Sequence, residues 1–200
     1  MSAFGIIWGL DLATRTGFAC GAPGCAAPRS GTVILKRKGE GRQVAFANLI
    51  AFLGREWSAE RPALVVKEAS LSLEAFKQLG MSEDQVRLQF GLHSIVEGLA
   101  VRFGVPIGVN PATGRDPTDS TIRKHFLGIG KLGTRAETKA AVITRCRLLK
   151  MMPDDGDDDR ADAIATFDWA CAHLARSPAR AFAFFGQQPR NGRAAHGAGE

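Results

Sequence analysis

The sequence lacks the long apolar run that a membrane-spanning helix requires, since no stretch approaches about 18 consecutive apolar residues. Met1–Gly9 contains neither a basic stretch nor a cleavage-site pattern, so we expect no signal peptide. Cysteine is scarce, with four residues scattered along the chain. Cys20 and Cys25 are spaced too loosely for a ribbon-type zinc site, and the other two lie far apart. We therefore expect reduced thiols, a cytoplasmic location and no membrane partner.

The chain is long and apolar enough for one domain with a full core, because 45% of its 200 residues are apolar. No internal repeat divides it. We predict a single domain over residues 1–176. Residues 177–200 are rich in Gly, Ala, Arg and Pro, and this composition predicts a flexible tail.

Charge is distributed unevenly along the sequence. The net charge is +6, and basic residues dominate over Arg115–Arg147. Acids crowd into Asp154–Asp159, most of which we interpret as a solvated loop. A basic surface attracts phosphate while carboxylates hold cations, so an acidic cluster in a basic protein suits a metal-dependent nuclease. Mild basicity alone is weak support, because many proteins that bind no nucleic acid share it.

The apolar pattern predicts five strands. Ile6–Leu12, Phe18–Gly21 and Gly31–Lys36 are joined by short connections, so we expect them to be antiparallel. Ala63–Lys67 and Val105–Asn110 are separated by helical sequence, so we expect parallel pairing. The predicted fold is therefore α/β, with a mixed five-stranded sheet of three antiparallel and then two parallel strands, flanked by helices on both faces.

Helical spacing and capping signals predict the remaining elements. Ser82 with Gln85, and Thr134 with Glu137, have the spacing of capping boxes. The segment Ser70–Met81 has no clear period and is predicted to be a mobile loop. Helices are predicted over Gly41–Trp57, Ser82–Phe103, Asp119–Leu127, Thr134–Lys150 and Asp159–Ala175.

Four acids occupy positions where these elements should converge. Asp11 lies on the first strand and Glu68 ends the fourth, so neighbouring strands would bring them to one end of the sheet. Asp159 and Asp162 share one face near the start of the last helix. Such a cluster can hold two Mg²⁺ ions for phosphodiester hydrolysis, and Mn²⁺ is expected to substitute.

Each acid also has an ordinary structural interpretation. Asp11 could cap the turn that follows it, and Glu68 could be a surface residue at a strand end. Asp159 could do no more than interact with the helix dipole. Asp162 precedes Ala-Ile-Ala, where the helix turns inward, so an ordinary surface role suits it least.

Four segments, in order and at suitable spacing over about residues 5–175, resemble the motifs of RuvC-type Holliday-junction resolvases, which belong to the RNase H-like superfamily. The first has an acid on a strand before a Thr-Arg turn, the second is an apolar strand that ends in Glu, and the last is a D-x-x-D-A motif. Their residues resemble phage or prophage versions more than the housekeeping bacterial enzyme, and a phage-encoded protein would act in the host cytoplasm. The segments are Gly9–Gly17, Val65–Glu68, Phe126–Gly130 and Asp159–Ala163.

The resemblance implies a crossover junction endodeoxyribonuclease that acts as a homodimer on four-way DNA junctions and makes paired symmetric nicks. It implies that Asp11, Glu68, Asp159 and Asp162 are catalytic metal ligands. The helix Ser82–Phe103 would form the dimer contact. The residues expected to contact DNA are Arg123, Lys131, Arg135, Lys139 and Arg15. A solvated basic face is the other interpretation of most of these side chains.

Two departures from the family pattern affect these expectations. The aromatic residue that helps to open the junction centre would fall at Leu71, so Phe76 is the candidate substitute from the same loop. Its alternative is a loop residue packed on the core. The first turn has Leu12-Ala13 after the acid instead of Pro-Gly, which leaves the metal site intact and the shape of the turn open.

Three other functions share part of this pattern. An RNase H-like nuclease that acts on flaps, other branched DNA or RNA–DNA hybrids would need the same carboxylates. An actin-like kinase or ATPase begins with a similar strand and acid, but it needs a second phosphate motif and a longer chain. A degenerate DNA-binding scaffold would keep the basic surface without binding Mg²⁺.

Overall fold

The computed structural model describes residues 5–130 and 132–175. The strands are β1 Ile7–Asp11, β2 Arg15–Gly21, β3 Arg29–Ile34 and β4 Leu64–Lys67. The helices are α1 Arg42–Ala59, α2 Leu73–Gln78, α3 Glu83–Phe103, α4 Asp119–Leu127, α5 Arg135–Leu148 and α6 Asp158–His173. The predicted tail, residues 177–200, lies outside the described residues.

The strands form one mixed sheet in the order β3-β2-β1-β4. β1 pairs antiparallel with β2, and β2 antiparallel with β3. β4 runs parallel to β1, with Leu10 opposite Lys67. The antiparallel trio and the parallel fourth strand are therefore confirmed.

The five-strand count is not confirmed among the described residues. In place of a fifth strand at Val105–Asn110, one isolated parallel bridge joins Val65 to Ile107. The Gly108 amide donates to the Val65 carbonyl at 2.8 Å, but Pro106 has no amide hydrogen to extend the pairing. The Asn110 amide donates instead to the Arg115 carbonyl in a turn, which ends the extended segment.

The sheet has a separate apolar core on each face. Trp8, Leu10 and Val65 belong to the core that packs against α1 and α3. Ile7 and Val66 alternate with them and face the core formed by α4, α5 and α6. The helices thus cover both faces, as the sequence predicts.

Helix α6 lies so close to the sheet that two strand positions must be glycine. A Cβ at Gly9 would stand 2.5 Å from the Phe167 backbone nitrogen, and one at Gly17 would overlap the Asp159 carbonyl. These glycines therefore let α6 lie directly against β1 and β2.

The helix predictions are confirmed with two corrections. Both capping boxes are present, with Ser82 and Thr134 as N-caps. Ser70–Met81 was expected to be a mobile loop, but Ser72 caps the short helix α2 within it. α6 begins at Asp158, one residue early, because Asp157 accepts a hydrogen bond from the Arg160 amide as its N-cap.

Two further features of the structure concern the cysteines and the length of the helices. No disulfide joins any of the four cysteines, all of which lie in the described part of the chain. Within residues 5–130 and 132–175, no helix has both the length and the apolar character required to cross a bilayer.

Candidate active site

Asp11 and Glu68 emerge side by side at one edge of the sheet. Asp11 is the last residue of β1, and Glu68 directly follows β4. Because these strands are parallel and Leu10 pairs with Lys67, the next residue of each strand leaves the sheet at the same end. The structure therefore brings the two acids together at this end of the sheet.

Helix α6 adds two carboxylates to the same place. Asp159 and Asp162 have side chains only 15% and 13% exposed. Together with Asp11 and Glu68 they line a cavity of about 370 Å³. The rest of its wall includes the basic residues Arg123, Arg135 and Lys139, the acid Asp119, and Leu71, Leu79, Gln89 and His93 from the other side.

The carboxyl groups of this cavity are costly to ionise in the absence of a cation. Burial, followed by repulsion from Asp162 and Asp159, raises the pKa of Asp11 to about 8. Burial, followed by repulsion from Asp119 and Asp11, raises the pKa of Glu68 to about 9. Burial also raises the pKa of Asp162 to about 6, although neighbouring cations oppose this. Each shift would be relieved by a positive charge in the cavity.

Two basic side chains supply part of that charge. Arg123, only 14% exposed, pairs with Asp119 at 2.5 Å and approaches Asp162 at 3.7 Å. Lys139 pairs with Asp158 and lies 4.0 Å from Asp162. Both lower the pKa of Asp162. The predicted basic residues of α4 and α5 therefore reach the carboxylates themselves.

The remaining predicted DNA contacts have different surroundings. Arg135 lines the cavity. Arg15 does not line the cavity, but its side chain pairs with the cavity residue Asp159 at 2.9 Å and also with Asp157. Half of the Arg15 side chain is exposed, so it remains accessible from solvent. Lys131 lies outside the described residues.

Phe76 does not occupy the position that a junction-opening residue requires. It is 1% exposed and packs against Phe90 with 5.5 Å between the ring centroids. Helix α2 turns this side chain inward, so contact with DNA would require α2 to move. Its other interpretation, a residue packed on the core, fits the structure. The exposed large apolar residues here are Leu71, Leu73 and Leu79 of segment 70–81, together with Phe90 of α3, which is 39% exposed.

Asp119 is a cavity residue that the sequence reasoning missed. It lies in the first turn of α4, after the N-cap Thr118. Burial raises its pKa, against the influence of Arg123. The i, i+4 spacing of Asp119 and Arg123 is visible in the sequence and could have identified the pair. Asp157 and Asp158 were interpreted as solvated, yet they hold Arg15 and Lys139.

The donor atoms of this cavity suit a hard divalent cation. As the side chains stand, no three of the described His, Cys, Asp and Glu residues are grouped closely enough to hold a metal ion. Mg²⁺, however, keeps several waters and binds through one or two carboxylates. The raised pKa values of Asp11 and Glu68 identify two partly buried acids whose ionised forms such an ion would stabilise. The residues therefore fit Mg²⁺, with Asp11 and Glu68 as its nearest candidates for ligands.

Sequence comparison adds no relative. No protein-family model matches the chain, and no curated protein matches it either.

Structural comparison does find similar proteins. The structure of Thermus thermophilus RuvC has a TM-score of 0.56 at 16% identity, over 81% of this chain and 90% of that one. T. thermophilus RuvC in complex with a Holliday junction substrate gives 0.57 at 14% identity, with the same coverage of 81% and 90%. The yeast mitochondrial Holliday junction resolvase Ydc2 gives 0.51 at 11% identity, over 85% and 77%. This chain therefore has the fold of the RuvC-like Holliday junction resolvases.

Proposed function

We propose that this protein is a metal-dependent endodeoxyribonuclease that resolves Holliday junctions by paired symmetric nicks. The observation that carries the proposal is the cavity in which partly buried carboxylates from β1, the end of β4 and α6 meet basic side chains from α4 and α5. The fold supports the choice of substrate, because one of the similar structures holds RuvC with a Holliday junction.

The acids of the cavity would bind the metal. Asp11 and Glu68 would hold it at the strand ends, with Asp162 and Asp159 closing the site from α6. Two Mg²⁺ ions, or Mn²⁺ in their place, would supply Lewis-acid activation of a water and offset charge on the departing oxygen. The products would carry 5′-phosphate and 3′-hydroxyl ends.

The basic residues would act on the phosphate. Arg123 and Lys139 lie close to Asp162, so they are held where charge develops during phosphodiester cleavage. Arg135, Arg15 and Lys131 would contact flanking phosphates. A homodimer would place two such sites on one junction, which paired nicking requires.

A second candidate is a nuclease of the same fold that acts on flaps, other branched DNA or RNA–DNA hybrids. The burial of Phe76 favours this candidate, because Phe76 is the only aromatic residue of segment 70–81, which the structure describes in full, and its side chain is not free to enter a junction centre. The carboxylate chemistry is the same for both, so the substrate decides between them.

The test is cleavage of end-labelled four-way junction, flap, duplex and RNA–DNA hybrid in Mg²⁺ or Mn²⁺. We expect paired nicks in the junction, and loss of cleavage without loss of binding in Asp11→Asn. A metal ligand supplies several kcal/mol of transition-state stabilisation, so we expect a fall of about a thousandfold or more. Asp155→Asn, in an exposed loop outside the cavity, is the matched control.

Two outcomes would contradict the proposal. Full activity of Asp11→Asn would show that the carboxylate cavity does not carry out the reaction. Cleavage of flaps or hybrids in preference to junctions would replace the substrate with that of the second candidate. Calorimetry with Mg²⁺ distinguishes a nuclease from a degenerate scaffold, since a scaffold would show no Mg²⁺ binding that depends on Asp11.

A further inference from the structure

Lys67 is a buried cation that the proposed chemistry does not use. Its side chain is 2% exposed, although lysine is seldom fully buried. It pairs with Asp116, in the segment before α4, and with Glu97 of α3 at 3.1 Å. Lys67 thus points from the sheet toward α3, whereas Glu68, the next residue, lines the catalytic cavity.

The residues on both sides of Glu68 are tied to one segment. Lys67 pairs with Asp116, and the Ala69 amide donates to the Pro117 carbonyl at 2.8 Å. Glu68 therefore lies between two anchors to Asp116–Pro117. Two residues further along, α4 begins with Asp119, which holds Arg123.

We propose that Lys67 is a positioning residue, which fixes the Glu68 carboxylate relative to Asp119 and Arg123 through its buried ion pair with Asp116. This inference rests on the proposed nuclease function and assigns a role in it to a residue outside the cavity. Side chains that orient metal ligands are worth about 10–100-fold in metal affinity or activity when they are changed.

The neighbouring histidine shows that Lys67 is the cation of this cluster. His93 of α3 is 7% exposed, and its Nδ1 has no hydrogen-bond partner among the described residues. Burial and the charge of Lys67 lower the pKa of His93 to about 4. His93 therefore stays neutral, and Lys67 is the cation that pairs with Asp116 and Glu97.

A purely stabilising role accounts less well for this arrangement. The cost of desolvating a buried ion pair is often as large as its attraction, so replacing both partners by apolar residues can be neutral in stability. An ion pair does, however, restrict geometry, and this one links β4, α3 and the segment before α4. The anchored point is the residue next to a candidate metal ligand.

The test compares Lys67→Met with Lys77→Met, an exposed lysine of α2. We expect Lys67→Met to keep its circular dichroism spectrum and its junction affinity in Ca²⁺. We also expect it to lose about tenfold or more in single-turnover cleavage, and to weaken Mg²⁺ binding by calorimetry without DNA about tenfold. Lys77→Met should match the unmodified protein in all of these measurements.

Asp116→Asn provides a second, milder variant. If both side chains act through one ion pair, the losses in Lys67→Met and Asp116→Asn will not add in the double variant. Should Lys67→Met fail to fold, the Mg²⁺ affinity of Asp116→Asn decides the question. Unchanged Mg²⁺ affinity in a folded Lys67→Met, or in Asp116→Asn in that case, overturns the positioning role.

The two proposals fail in different ways. If the unmodified protein cleaves none of the four substrates, the proposed function fails. The calorimetry still tests Lys67, because it measures Mg²⁺ binding in the absence of DNA.

Discussion

At the residue scale, Asp11 shows how the cavity makes folding depend on pH. Its pKa is raised from 3.8 to about 8, mainly by burial. At a pH below about 4 the acid is protonated in both the folded and the unfolded chain, so it has no effect. As the pH rises toward 8, the unfolded chain loses this proton and the folded chain keeps it. The metal-free protein therefore loses stability over this range.

The change Asp11→Asn should remove this loss. In the presence of EDTA we expect Asp11→Asn to melt at a higher temperature than the unmodified protein at pH 8, with the two converging near pH 4. Thermal unfolding followed by circular dichroism at several pH values measures the difference. Asp155→Asn, in the exposed loop, serves as the control and should follow the unmodified protein. Equal pH dependence in Asp11→Asn would contradict the burial of this acid.

Arg123 carries a prediction about DNA binding. Its side chain lies in the cavity beside Asp162, where a scissile phosphate would be bound. Removing one phosphate contact reduces the slope of log K against log salt by about 0.9. We expect Arg123→Ala to bind junctions more weakly and with this reduced slope, measured by fluorescence anisotropy in Ca²⁺. Lys124→Ala, an exposed neighbour outside the cavity, should lose less affinity.

At the element scale, the contact of α6 with the sheet controls where Asp159 and Asp162 lie. A Cβ at Gly17 would overlap the Asp159 carbonyl, which is backbone and cannot rotate away. We expect Gly17→Ala to cost about 1–3 kcal/mol of unfolding free energy, as overpacked sites do. Because α6 must move from β2, cleavage should fall as well. Denaturant unfolding and single-turnover cleavage measure the two effects.

Gly54→Ala is the matched control for this prediction. Gly54 lies inside α1, and a Cβ there would meet nothing within 4 Å. Alanine favours a helix by about 1 kcal/mol relative to glycine, so this variant should be slightly more stable. Equal effects of the two substitutions would show that α6 does not press on β2.

The sequence predicted the elements whose signals are local. Ser82 and Thr134 are examples, because an N-cap needs only a side-chain oxygen that accepts a hydrogen bond from the amide three residues later. The fifth strand is not confirmed among the described residues, because an apolar run such as Val105–Asn110 does not show that Pro106 leaves only one parallel bridge to Val65. The roles of Asp157 were missed because its partners Arg15 and Thr32 are 142 and 125 residues distant in the sequence. Such pairs follow only from the packed fold.

In the candidate site, too, the sequence predicts what local patterns determine and does not predict contacts between distant residues. Asp11 and Glu68 could be placed together because a parallel strand pair brings strand ends to one edge. The buried charge of Lys67 could not be inferred, since an apolar strand predicts no partner for a lysine. Phe76 was assigned to DNA contact because the helix that turns it inward was interpreted as a loop.

At the scale of the whole molecule, paired nicking requires two copies of the cavity. Helix α3 carries two exposed apolar side chains that suit the contact that the family resemblance implies. Phe90 and Val101 are 39% and 83% exposed, and their spacing of eleven residues places them on one side of the helix. Exposed apolar residues on one face of a helix are suited to association with a second copy.

We expect the protein to sediment as a dimer and Val101→Asp to shift it toward monomer, because a carboxylate would be desolvated in the contact. Ile34→Asp is the control, since Ile34 is also exposed, at 57%, but lies on the edge strand β3. Analytical ultracentrifugation measures the assembly. Junction cleavage then measures its consequence: the Val101→Asp monomer should release single nicks in place of paired ones. Paired nicking by a protein that remains monomeric would contradict the requirement for a dimer. One cavity would then have to cut both strands in turn.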